Sequence, residues 1–163
     1  MLMRHSPSRL RADVELGEWH PELAVPLGGG TPSLPVSYAA FCHDRWPVYR
    51  RFGAVAAGSL QRGGELAVVA LCGLAAHWHT ALGSSSPAAL AWNLLSVETA
   101  PWQTDSVRRL HRLLDRLEAD ALVLRYKLGL SNEQAGRAMG LPEAQFELLR
   151  NRALSNLTSP AAA

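Results

Sequence analysis

The residues best suited to chemistry at a partner's surface lie near the C-terminus of this 163-residue chain: Gln145, Arg150, Asn151 and Arg152, with Ser131 upstream. Amide, guanidinium and hydroxyl groups hydrogen-bond to base edges and phosphates, so this set suits a nucleic-acid duplex. Gln145, Asn151 and Arg152 are the leading contacts, supported by Ser131 and Arg150. Glu147 and Leu148 interrupt the set. A carboxylate repels a phosphate backbone, whereas each phosphate contact in an ordinary binder releases counterions and adds affinity. Leu148 should point outward if Phe146, Leu149 and Ala153 point in, and an exposed leucine suits a protein partner at least as well as a groove. Glu147 and Leu148 are therefore candidates for protein contact. So is Glu65, the lone acid of the apolar run Glu65–Cys72. Glu143 adds negative charge to a first helical turn, where the helix dipole favours it and DNA would not.

Other chemistries are poorly served. Cys42, His43, Cys72, His77 and His79 include no CxxC pair, and His77 and His79 would point to different helix faces, so packing explains them better than zinc. Gly28–Gly30 follows no strand and opens no helix, which argues against a phosphate loop. Paired carboxylates and a nucleophile elbow are absent from the pattern, so neither an enzyme nor a metal or cofactor is expected. Trp78 and Trp92 read as packing residues, with stacking on unpaired bases as the alternative.

The elements that must position these residues read as a helix-turn-helix. Gly129 stops a supporting helix over Ala121–Lys127, because glycine accepts positive φ. Ser131 caps the next helix and Gln134 completes a capping box. Ala135 and Ala138 permit close approach, Met139-Gly140-Leu141 makes the turn, and Pro142 opens the second helix. Phe146, Leu149, Ala153 and Leu157 share one face of that helix. Upstream, a helix from Thr104 carries a stripe of Leu110, Leu113, Leu114 and Leu117, with Arg108, Arg109, Arg112 and Arg116 largely off it.

Residues 36–96 hold only six charges and predict three helices: Tyr38–Ala57, Glu65–Leu82 and Pro87–Leu95. Pro47 should kink or restart the first, and Ser86 should cap the third. The resulting division is a flexible arm over 1–35, a helical domain over 36–96, a linker over 97–103, a helix-turn-helix domain over 104–157 and a disordered tail over 158–163. Trp19, within the arm, could dock elsewhere. The fold class is all-α, with two small helical domains and no strand alternation.

Composition narrows the setting. With 48% hydrophobic residues a core is affordable, and a net charge of +2 permits nucleic-acid binding without arguing for it. No apolar run approaches the ~20 residues of a membrane helix, so no membrane partner is expected. Two cysteines fit a reducing compartment, and a cytoplasmic location follows as the expectation.

Leu124-Arg125-Tyr126, Gly129-Leu130-Ser131-Asn132-Glu133, Ala135, Gly140-Leu141, Arg152-Ala153 and Leu157 together resemble region 4 of the extracytoplasmic-function branch of bacterial sigma-70 factors. The run YAAFCHDRWPVYRRFG is similar to the opening of region 2 in that family, and Ala89–Leu95 takes the place of its third helix. The resemblance implies a transcription initiation factor that binds core RNA polymerase and promoter DNA and leaves the chemistry to the polymerase. The chain departs from the pattern at two places. The family begins its recognition helix with a small residue, Thr, a hydrophobic residue, Lys, Ser and Arg, where this chain has Ala144, Gln145, Phe146, Glu147, Leu148 and Leu149. The second region-2 helix of the family carries acids and a glutamine that grip the polymerase, where this chain has only Glu65. A degenerate sigma-like protein that binds an anti-sigma or other regulatory protein is therefore the alternative. A stand-alone helix-turn-helix regulator, which would dimerise, is a third reading.

Overall fold

The computed structural model describes residues 35–159, and every regular element among them is helical. The expected arm up to residue 34, with Trp19, and the tail from residue 160 lie outside the described residues.

Helix α1 (Val36–Ala57) and helix α2 (Leu60–Ala76) form an antiparallel pair, since Gly53 meets Gly63 at one end while the Tyr38 hydroxyl donates to the Leu71 carbonyl at the other (2.7 Å). The glycines set the spacing: a Cβ on Gly53 would stand 2.7 Å from the Gly63 carbonyl oxygen. Pro47 neither breaks nor restarts α1. Its missing N–H would have served the His43 carbonyl, and both residues lie on the exposed face, where water can replace that bond. Helix α2 starts five residues earlier than expected, because Ser59 caps it by accepting from the Arg62 N–H (3.2 Å). It also ends sooner. His77 is non-helical, and a short helix α3 (Trp78–Leu82) turns Trp78 into the core, where its Nε1 donates to Ser37 (3.1 Å).

Helix α4 (Pro87–Thr99) begins as expected, with Ser86 accepting from the Ala89 N–H and Pro87 in the first turn. It seats Trp92 edge-to-face against Phe52 (4.6 Å between ring centres) and Tyr49 (5.8 Å). Most of the expected linker is helical: α4 runs on to Thr99, burying Ser96 and Thr99, and a 3-10 turn occupies Ala100–Trp102.

Helix α5 (Asp105–Leu113) is capped by Thr104, and Leu114 is extended, so helix α6 (Arg116–Leu122) starts afresh. That break divides the expected leucine stripe: Leu114 is buried and Leu110 half-buried, but Leu113 and Leu117 are exposed. A π-helical turn over Val123–Lys127 follows, with the Leu128 N–H donating to the Val123 carbonyl five residues back (3.0 Å). Helix α7 (Asn132–Met139) and helix α8 (Glu143–Thr158) complete the chain. One buried core joins the aromatics of α1, α3 and α4 to Val123, Leu124, Met139, Phe146 and Leu149. A smaller cluster of Leu114, Ala119, Leu122 and Ala153 fastens α8 to α6.

Candidate nucleic-acid interface

The α7–turn–α8 unit is assembled by short-range chemistry. The Gln134 N–H donates to Ser131 Oγ (3.1 Å), and the Ser131 N–H donates to Gln134 Oε1 (3.0 Å), which closes the capping box. Gly140 adopts φ +72°, ending α7 in the left-handed conformation that the turn requires. Phe146, Leu149 and Ala153 are buried as expected, whereas Leu157, in the last turn of α8, is 38% exposed.

The five nucleic-acid candidates stand in different situations. Ser131 spends its hydroxyl oxygen on the cap. The Arg150 guanidinium donates to Asn132 Oδ1 and to Asn151 Oδ1, each at 3.1 Å. Arg152 pairs through Nε with Glu118 at 3.1 Å, and Glu118, only 3% exposed, also accepts from Asn156 (3.2 Å). Gln145 is exposed, and its side chain makes no hydrogen bond among the described residues. Of the protein-contact candidates, Glu147 is exposed and Leu148 is 70% exposed, as its helical phase predicts. Glu65 belongs to a separate place on α2, where it pairs with Arg62 (3.1 Å), whose guanidinium stacks over Trp102 (4.1 Å). Trp78 and Trp92 are inside the core, so neither offers a ring face to a base.

Sequence reasoning missed the contacts that hold this unit on α1 and α4. Asp44 takes a two-oxygen pair from Arg137 (3.0 Å each), although 93 residues separate them. Arg45 donates to the Arg137 carbonyl, and Arg51 donates to the Leu128 carbonyl (2.7 Å). The Ser86 hydroxyl donates to the Gly140 carbonyl (3.3 Å), and a Cβ on Gly140 would collide with the backbone of Ala88 and Ala89. Beneath them Asp120, 1% exposed, accepts from Trp92 Nε1 (3.0 Å) and from the Ser96 hydroxyl, with His111 Nε2 3.2 Å from its other oxygen. Asp120 gave no local sign of this role, because Trp92 and Ser96, which donate to it, lie more than twenty residues away in sequence.

A groove of about 310 Å³ runs between α6 and α8, lined by Leu117, Leu141, Gln145, Leu148 and Arg152. It shares Leu117 and Leu141 with a smaller hollow of about 170 Å³ that reaches Asn93 of α4 and Arg116 of α6. The surface therefore offers amide and guanidinium donors beside exposed leucine, with carboxylates Glu143 and Glu147 on the same helix. No family model matches this chain, and neither a curated protein nor a solved structure matches it.

Proposed function

We propose that the chain is a sigma-70-like transcription initiation regulator that contacts core RNA polymerase and promoter DNA and catalyses nothing itself. The observation that carries this reading is the α7–turn–α8 geometry. A capped helix, a glycine turn and a helix anchored by Phe146, Leu149 and Ala153 leave Gln145, Glu147, Leu148 and Asn151 facing out. In this reading α1–α4 stand for the region-2 part and α5–α8 for the region-4 part, two units of sigma type that share one core. Work on DNA beside polymerase would place the protein in the cytoplasm.

A second reading has its own support. Arg150 and Arg152 are tied to Asn132 and Glu118, and Leu148 stands over an apolar groove, which favours contact with an anti-sigma or other regulatory protein. Glu147→Lys separates the two. If α8 lies along the DNA backbone, the substitution raises promoter affinity and steepens the salt dependence by about one counterion. If α8 meets protein, DNA affinity stays unchanged and a regulator complex weakens. Co-elution of the chain with core RNA polymerase at moderate salt tests the polymerase contact itself.

A further inference from the structure

The groove beside α8 has an apolar floor and a cationic rim. Leu148 and Leu117 are 70% and 41% exposed on it, Arg116 is exposed at one end, and the Arg152 side chain is 67% exposed despite its pair with Glu118. The chain's own sequence holds the complementary chemistry. Ala12–Leu23 contains Asp13, Glu15, Glu18 and Glu22 with no lysine or arginine, and these acids alternate with Val14, Leu16, Trp19 and Leu23. Four acids of the chain's fourteen fall in these twelve residues, and Arg116 of α6 and Arg152 of α8 supply the opposite charge at the groove.

We propose that Ala12–Leu23 occupies this groove, with Leu16, Trp19 and Leu23 against the leucines and its carboxylates beside Arg116 and Arg152. The connecting length suffices. The hollow adjoins Trp92, which packs on Tyr49 and Phe52, so it lies about 20–24 Å along α1 from Val36 at ~1.5 Å per residue. The eleven residues 24–34 span up to about 36–40 Å when extended, enough to cover that distance and the width of a helix. Burying exposed leucines with a tryptophan removes apolar surface from water, and the opposite charges select the orientation. The occupant would cover Gln145 and Leu148, so promoter contact by α8 would require its displacement. That consequence rests on the proposed function; the docking does not.

The test places the photo-cross-linking residue p-benzoylphenylalanine at position 148 of the full chain, irradiates it at low micromolar concentration and maps the products by mass spectrometry. The expected product is a cross-link within one chain, from position 148 to residues 12–23, whose yield does not change on dilution. Combined Glu15→Lys, Glu18→Lys and Glu22→Lys should lower that yield by about fivefold or more, since the charge match is reversed. Dimer-mass products that fade on dilution would assign the groove to a second copy and overturn the proposal. Products confined to α4–α8, or a yield indifferent to the charge reversal, would overturn it equally. Cross-linking is read without DNA, so a chain that fails to bind promoter DNA leaves this result standing.

Discussion

Helices α1–α4 enclose Tyr38, Trp46, Tyr49, Phe52, Trp78 and Trp92, whereas α5–α8 bury a single aromatic, Phe146, among alanines, leucines and two carboxylates. The first region draws its stability from large apolar side chains and edge-to-face ring pairs, each pair adding roughly 0.5–1.5 kcal/mol beyond its area. The second depends more on caps, glycine turns and a few polar anchors, which fix geometry more than they add energy. The contrast shows how a weakly filled unit gains a firm seat. It shares the core of its better-filled neighbour, and Asp120, Arg137 and Gly140 set the alignment.

The largest break in that contrast should come from Trp92→Ala. It empties the centre of the aromatic cluster and removes a donor from Asp120, for a loss of about 4 kcal/mol in urea unfolding. Both regions should melt in one transition, because the core is continuous; two separated transitions would mean that the regions unfold independently. Asp120→Ala should cost about 3 kcal/mol, since Trp92 Nε1 and the Ser96 hydroxyl are left buried without a partner. A double-mutant cycle with Ser96→Ala, which removes only the hydroxyl that donates to Asp120, should show the two losses to be non-additive.

A smaller effect sharpens the α1–α2 side. Burial pushes the Cys42 thiol from 9.0 up to about 12, against the lowering effect of its hydrogen bond with Tyr38, and burial raises the Tyr38 hydroxyl as well. The folded chain therefore keeps protons that the unfolded chain gives up. This contribution is complete below pH 9 and is lost as the pH rises from 9 towards 12. Urea midpoints measured from pH 8 to 11 should fall, and Cys42→Ala should flatten the fall without abolishing it, since the tyrosine still titrates. The smallest effect belongs to the other region: Ser131→Ala should cost about 1 kcal/mol by opening the capping box, with little change in the aromatic cluster's near-ultraviolet signal.

How much was legible in the sequence follows the same division. The Ser131–Gln134 box, the Gly129 and Gly140 turns and the Ser86-Pro87 start could be read because each signal and its partner lie within a few residues. The outward phase of Leu148 followed from the buried spacing of Phe146, Leu149 and Ala153. The leucine repeat continues across the break at Leu114 and hides it, and Gly63-Gly64, poor helix formers inside the first turns of α2, disguise its early start. The pairs Asp44–Arg137 and Arg152–Glu118 left no local trace, since a charged residue's type does not name a partner remote in sequence. The engagement of Arg150 and Arg152 therefore could not be foreseen from residue type.

The π-helical turn at Val123–Lys127 has a consequence for how α7 and α8 are aimed. A widened turn holds one residue more than an α-helical turn, and each helical residue advances the chain by about 100° around the axis. Loss of a single residue there would leave a regular helix, but it would swing Gly129, α7 and α8 by about that angle relative to α1 and α4. Gly140 would then leave the Ser86–Ala89 backbone and Arg137 would leave Asp44. One inserted residue thus acts as the phase setting of the molecule, deciding which side of α8 the solvent sees.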